Sequence, residues 1–370
     1  MKMRVMIDAT PLLLRSAGVK TYVYHWTRHL RQLAGADAVR LFPFLGAPAA
    51  WGHGQSHERS MLPRLGTMAR LGFLAAANYT PLPLLRPLGA GADVFHASHQ
   101  LVRPPRNAAL TATVYDMTCW LVPEMHSAAN IAKAKQFAAS VMQRADGLIA
   151  ISEATRQDAV RILGIDASRV EVIYPGVADA FFTATPASAA KPYILFVGTV
   201  EPRKNLGVLL DAYARLPRSV HDEFDLVVAG SAGWGDPSVL RRLARGEPGV
   251  RYAGYVTEDA LPALNAGASV FVYPSLYEGF GLPVAQAMAS GVPVITSNTS
   301  CLPEVAGDAA LLVDPRSPAE LAGALERLLT SPSQRSALGA NGRRRAAAFR
   351  WDRCAQLSWK FFERVRQSPR

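Results

Sequence analysis

The chain has little of what marks a secreted, metal-bound or membrane-spanning protein. Cysteine is scarce, with three in 370 residues, at positions 119, 301 and 354. Odd in number and far apart, they suggest neither a disulfide framework nor a thiolate zinc site. A reducing cytoplasm suits them. No apolar run is long enough to span a bilayer. The opening stretch MKMRVMIDAT reaches Asp8 after a few apolar residues, so it reads as a first strand and not as a secretion signal. Zinc-finger spacing and an aromatic RNA-binding motif are lacking, which argues against nucleic acid as a partner; a P-loop is lacking as well. Acidic residues are short in one region. Residues 1–115 hold 13 Lys/Arg against 4 Asp/Glu, and no carboxylate lies between Glu58 and Asp93.

Hydrophobic residues make up 49% and charged residues 19%, as in an ordinary globular protein. The length exceeds what one core usually serves, so two domains are expected. Short β-branched runs alternate with longer helical stretches. VMIDA, VFHAS, ATVYD, GLIAIS and VEVIY read as buried strands, and TYVYHWTRHLRQL and NIAKAKQFAASVMQRA as helices. Such alternation predicts a parallel sheet with helices on both faces. Residues 183–192, TATPASAAKP, have the composition of a linker. The alternation then restarts with YILFVG, DLVVAG, VRYAGYV, SVFVYPS, VPVIT and ALLVD. The fold class expected is α/β, with two doubly wound Rossmann-like domains facing across a cleft. We place them at 1–185 and 190–349, with a helix over 350–370 packing back on the first. In such sheets ligands bind beyond the carboxyl ends of the strands.

The acid-free stretch carries Arg59, Arg64, Arg70 and Arg86 among Met61, Leu62, Leu65, Met68, Leu71, Phe73 and Leu74. Two readings stand. One is an amphipathic helix with its apolar side packed inward. The other is a segment lying on an anionic membrane surface.

Chemistry concentrates in SLYEGFGLPVAQAMASGVPVITS, Ser275 to Ser297. Gly279, Phe280 and Gly281 form a loop that turns into a helix with Pro283 in its first turn and Gly291 at its end. Backbone N–H groups and the positive end of the helix dipole suit a phosphate there. Glu278 and Gln286 can bond hydroxyls. A ligand with phosphates and many hydroxyls fits, namely a nucleotide sugar. A second element, EPRKN, follows the strand YILFVGT. Its Arg203 and Lys204 can neutralise a diphosphate, or can be a solvated basic turn.

These stretches, GTVEPRKNLGVLLDAY, GYV at 254–256 and YPSLYEGFGLPVAQAMASGVPVITSNTSCLPEVAGDAALLVDP, closely resemble the C-terminal domain of retaining glycosyltransferases of family four, which have the GT-B architecture. IDATPLLLRSAGVKTYVYHWTRHL, TVYDMTCWLVPEMH and IAISEATRQDAVRILGIDASRVEVIYPGV resemble their N-terminal half. The resemblance implies that Arg203 and Lys204 hold the donor diphosphate and that Glu278 bonds the donor sugar. Gly279, Phe280, Gly281 and Leu282 contact sugar and phosphate through their backbone. Gly254, Tyr255 and Val256 lie by the nucleoside. Gly18 lets the N-terminal loop approach the phosphates. Gly198, Thr199 and Gly230, at strand ends, complete the implied binding set.

Two positions depart from the pattern. Gln286 stands where the family has a second glutamate, and Tyr115 stands where it has a histidine before Asp116. Asp116 is a candidate for acceptor positioning, with a loop cap as its alternative. His25 and His29 have metal-ligand spacing but no accompanying glutamate and read as surface residues. His96 and His99 follow a strand, as ligand contacts or as buried structural residues. GAGAD at 89–93 precedes a strand instead of following one.

The function implied is retaining, metal-independent hexosyl transfer with no cofactor. The donor is a nucleotide sugar, GDP-mannose or a related GDP-deoxyhexose being favoured by the likeness of GSAGWGDP to mannosyltransferases. The acceptor is a glycan or a lipid-diphosphate-linked sugar in assembly of bacterial surface polysaccharide such as lipopolysaccharide, at the cytoplasmic face of the cell membrane. A UDP-sugar-dependent transferase or epimerase of similar fold, and a non-catalytic nucleotide-sugar-binding subunit, are the alternatives.

Overall fold

The computed structural model describes residues 3–14, 18–43, 60, 62–80, 85, 91–98, 101–105, 107–234 and 237–367. Glu58, Arg59, Met61, Arg86, His99 and parts of GAGAD and GSAGWGDP lie outside them. The chain divides into two compact units, Met1–Gly176 with Trp351–Arg370, and Val177–Arg350.

The first unit holds a six-stranded sheet of β1 (Val5–Asp8), β2 (Val39–Phe42), β3 (Val94–Ala97), β4 (Ala109–Val114), β5 (Gly147–Ala150) and β6 (Val170–Val172), in the order β2-β1-β3-β4-β5-β6. The second holds β7 (Tyr193–Val197), β8 (Asp225–Ala229), β9 (Val250–Gly254), β10 (Val270–Tyr273), β11 (Val294–Ser297) and β12 (Leu311–Val313), in the order β12-β11-β10-β7-β8-β9. Every strand pairing among the described residues is parallel. The central strands are buried along their length, as expected where helices cover both faces and the strands read as continuous apolar runs.

The expected linker does not mark the boundary. The chain enters the second unit at Val177, ahead of the Ala/Pro-rich stretch. The reason is the short helix Asp179–Thr183: its Phe181 is buried, the carbonyl of Phe181 accepts from the Ser290 hydroxyl, and that of Phe182 accepts from Arg343. The helix Trp351–Gln367 belongs to the first unit. It packs on the helix Gly18–Ala34, with the Trp26 indole N–H donating to Ser358 Oγ at 2.9 Å. Gly147 opens β5 there because a Cβ would sit 2.7 Å from Val365.

Each sheet has one point where strand order reverses, between β1 and β3 in the first and between β7 and β10 in the second. The carboxyl ends of the strands flanking such a point diverge and leave a crevice. At the first, Asp8 is buried and accepts from Ser98 Oγ at 2.5 Å and from Thr10 N at 3.0 Å, so it ties β1 to β3. At the second lie the EPRKN and EGFG loops.

Candidate active site

The loop after β7 is a single tight turn over Pro202–Lys204, ended by Asn205 at φ +58°. Asparagine tolerates this left-handed conformation better than other non-glycine residues. Its side-chain amide donates to the carbonyls of Pro274 at 3.0 Å and Pro315 at 2.6 Å. The loop after β10 is stitched to the turn through the Arg203 carbonyl, which accepts from Leu276 N at 2.9 Å. Two strands that are neighbours in space, though far apart in sequence, thus present their loops as one body.

The charged side chains converge between these loops. Glu278 Oε1 is 2.6 Å from Lys204 Nζ, and Oε2 is 2.7 Å from Arg203 Nη1. Arg203 reaches Glu201 Oε1 at 2.7 Å with its other nitrogen. Oε1 also accepts from Ser275 Oγ at 2.7 Å and from the Tyr273 hydroxyl at 3.0 Å. The backbone N–H of Glu278 donates to Ser300 Oγ at 3.1 Å, from a residue held at φ +53°.

Every member is buried or nearly so: side-chain exposure is 18% for Arg203, 12% for Lys204, 9% for Glu278 and 7% for Glu201. Burial pushes the Glu278 carboxyl up, but the Arg203 and Lys204 charges, with the hydrogen bonds from Lys204 and Ser275, outweigh it and hold it down to about 2. Burial lowers Lys204, against the pull of Glu278. Two cations and two carboxylates therefore compensate one another. Three donors fill Oε1; among the described residues Oε2 takes Arg203 alone, so Oε2 is the oxygen left to accept from a further hydroxyl.

The loop beyond Glu278 runs into the helix Leu282–Ala289 with Gly281 as its N-cap at φ +84°. A Cβ on Gly281 would lie 2.6 Å from Leu302, so only glycine makes this entry. Pro283 sits in the first turn and Gly291 follows the end at φ +75°. Phe280 turns inward onto Phe349, which leaves backbone as the outward element of that segment. Gln286 lies on this helix, 8% exposed.

The other expected residues separate into groups. Gly230, at φ +149°, has its Cβ position 1.9 Å from the Gly198 carbonyl oxygen. Close approach of these two strand-end turns demands glycine at 230, whatever binds nearby. Gly254 N-terminal to Tyr255 and Val256 adopts φ +64° with open space where a Cβ would be, and Gly18, opening the first unit's helix, faces open space as well. Thr199 lies in the turn after β7, followed by Val200, whose N–H donates to the Ser231 carbonyl. Asp116 Oδ1 accepts from Thr118 N at 3.0 Å and Thr118 Oγ1 at 2.6 Å, an Asx turn that leads into the short helix Thr118–Leu121, whose N-cap is Met117. Tyr115 packs edge-on against Tyr22. His96 is buried in β3 between Thr111 Oγ1 at 3.0 Å and Thr113 Oγ1 at 2.9 Å, and burial lowers it to about 3, so it is a neutral core residue. His25 and His29 stack on Trp351. Among the described residues no group of three or more His, Cys, Asp and Glu is placed to hold a metal ion.

Sequence reasoning missed Tyr273, Ser275 and Ser300 as partners of Glu278. Tyr273 and Ser275 sit inside the motif but read as strand and turn. Ser300 gives no signal, because its role depends on a backbone conformation that serine rarely adopts.

Comparison with known proteins agrees with this arrangement. The family of glycosyl transferases group 1 matches residues 178–345, and Glycosyltransferase Family 4 matches residues 16–181. The O-antigen chain mannosyltransferase B of Escherichia coli is 34% identical over 274 residues, 71% of this chain and 72% of that protein. The serotype-specific mannosyltransferase WbdA of Escherichia coli is 31% identical over 244 residues, 61% of this chain but only 30% of the much longer relative. Among solved structures, sucrose-phosphate synthase from Thermosynechococcus elongatus superposes with a TM-score of 0.75 at 22% identity, covering 99% of both chains. HepE of Anabaena, in complex with UDP and glucose, superposes at 0.70 and 19% identity, covering 98% of this chain and 100% of that one. At such identities the structural matches speak for the fold. Fold and family together define a glycosyltransferase of the GT-B class. The chain belongs to Glycosyltransferase Family 4, the group 1 glycosyl transferases.

Proposed function

We propose that the protein transfers a mannosyl or related deoxyhexosyl residue from a GDP-sugar, with retention of configuration and without a metal. The acceptor is a glycan or lipid-diphosphate-linked sugar in bacterial surface polysaccharide assembly. The observation that carries this reading is the convergence of Arg203 and Lys204 at the switch point of the second sheet. Two buried cations at the carboxyl end of a doubly wound sheet suit a diphosphate. The names of the relatives, both mannosyltransferases, support the sugar.

In this mechanism the donor diphosphate competes with Glu201 and Glu278 for the two cations. Arg203 and Lys204 then stabilise the charge that grows on the leaving phosphate. Oε2 of Glu278 takes a sugar hydroxyl and fixes the ring. The leaving phosphate accepts the proton of the attacking hydroxyl on the same face of the sugar. The binding set Gly18, Gly198, Thr199, Gly254, Tyr255, Val256 and the 279–282 backbone belongs to this proposal.

We infer further that the enzyme works against an anionic membrane surface. The helix Arg64–Tyr79 supports it: Leu65 is 83% and Met68 60% exposed. Arg64, exposed, adjoins them in the sequence, while Arg70 turns its guanidinium to the carbonyls of Pro43 and Gly66. An exposed apolar pair beside a cation suits a lipid interface. No helix among the described residues is long and apolar enough to cross a membrane.

Incubation with GDP-mannose, an oligosaccharide or lipid-linked acceptor and EDTA tests the proposal. An α-linked mannosyl product from the α-configured donor supports it. Transfer from UDP-sugars only, an inverted product, or dependence on added metal contradicts it. Co-sedimentation with phosphatidylglycerol vesicles, lost in Leu65→Ser/Met68→Ser, tests the membrane contact.

A further inference from the structure

We propose that Tyr273 is a positioning residue of the transfer reaction, its hydroxyl setting the direction of both Lys204 and Glu278. The inference rests on the donor-clamp reading of those two residues.

Tyr273 ends β10 and is fully buried. Its ring lies against that of Phe196, on the neighbouring β7, at 6.0 Å and that of Phe271, on its own strand, at 6.1 Å between centroids. These contacts hold the ring in the core. The hydroxyl accepts from Lys204 Nζ and donates to Glu278 Oε1 at 3.0 Å. Lys204 Nζ also lies 5.0 Å from the ring centroid. One phenol therefore bridges the cation and the carboxylate that face each other. Burial and the Glu278 charge hold its pKa well above the ordinary 10, so it stays a neutral bridge over the working range.

The consequence shows when the donor arrives. Lys204 must turn part of its charge from Glu278 to phosphate. A flexible lysine stem released from its carboxylate would lose its aim. The tyrosine hydroxyl is an acceptor that the phosphate does not displace, so Nζ keeps one fixed partner. On the other side Tyr273 and Ser275 both hold Oε1, which leaves Oε2, paired with Arg203, as the oxygen with room for a sugar hydroxyl. The groups whose charges bear on Lys204 are Arg203, Glu201 and Glu278. Loss of the hydroxyl leaves these in place and removes one acceptor from the ammonium, so Lys204 gives up its proton more readily.

The experiment compares Tyr273→Phe with Phe271→Leu, which disturbs the same stack and carries no polar group. Donor KM, kcat and the pH profile of kcat/KM are measured for both, with melting temperatures. For Tyr273→Phe the inference expects kcat/KM about tenfold lower or more, as for loss of a hydrogen bond to a charged group, with the alkaline limb of the profile moved to lower pH. Phe271→Leu should leave that limb in place. In a Lys204→Ala background, Tyr273→Phe should cost less than in the wild type, the remainder being its hold on Glu278. Wild-type kinetics in Tyr273→Phe, or an unmoved alkaline limb with losses matching Phe271→Leu, overturns the inference. Lys204→Ala and Glu278→Ala alone serve as the check on the clamp: full nucleotide affinity in both would sink that reading instead.

Discussion

The ammonium of Lys204 and the carboxylate of Glu278 meet at 2.6 Å across 74 residues of sequence. The contact exists because β7 and β10 are neighbours at the point where strand order reverses. Neither residue could be buried alone. An unpaired buried charge costs several kcal/mol, and each here cancels part of the other's cost. Glu278→Ala therefore takes the carboxylate partner from Lys204 and leaves Arg203 with Glu201 alone. We expect it to lose on the order of 3 kcal/mol of stability in urea titration, and Glu278→Gln, which keeps the hydrogen-bonding shape, to lose less.

The pH dependence has a definite sign. Glu278 sits at about 2 in the folded chain against an ordinary 4.5, so its contribution is present above the unfolded value and fades as pH falls toward 2. His96 acts in the same direction at higher pH. Lowered by burial to about 3 from 6.5, it lets the unfolded chain bind a proton that the folded chain refuses. Stability should rise with pH between those values, by up to about 1.4 kcal/mol per unit. His96→Gln should flatten the slope between about pH 4 and 6 in urea titrations at stepped pH. An unchanged slope would mean that His96 is protonated in the fold.

Two glycines separate fold from ligand. Gly230→Ala forces a Cβ into the Gly198 carbonyl at a backbone angle that side chains rarely adopt. It should cost about 3 kcal/mol or more, read by thermal melting. Gly18→Ala meets nothing within 4 Å, so it should leave the melting temperature within a degree or two. The proposed place of Gly18 in the donor site predicts that the same variant raises donor KM several-fold in steady-state kinetics.

Asp116 gives a sharper contrast. Its contacts are those of an Asx turn. Asp116→Ala should lose about 1 kcal/mol, as for a single hydrogen bond. Asp116→Asn, which keeps the acceptor oxygen, should retain both stability and most of kcat. A collapse of kcat in the Asn variant with normal melting would assign the second carboxylate oxygen a part in the reaction.

Much of this was legible beforehand, for identifiable reasons. Runs such as YILFV and VFVY are buried on both faces and announce strands by composition. Gly281 and Pro283 mark the helix entry, since few other residues make that turn. The strand β2, VRLF at Val39–Phe42, escaped because Arg40 breaks a very short run. The unit boundary was misplaced because Phe181 looks like the end of one segment and is in fact buried in the next. The partners of Glu278 were hidden for a different reason. Tyr273 and Ser300 act through strand adjacency and an unusual φ, and neither leaves a local pattern.

The central claim is that Arg203 and Lys204 form the donor diphosphate clamp. The most direct measurement is calorimetric or thermal-shift titration of GDP, UDP and GDP-mannose against the wild type and Arg203→Ala/Lys204→Ala. A ligand of the native state must raise its melting temperature by mass action. The account predicts stabilisation by guanosine nucleotides that disappears in the double variant while its fold persists. Equal stabilisation of the double variant, or no response of the wild type to any nucleotide, would contradict it.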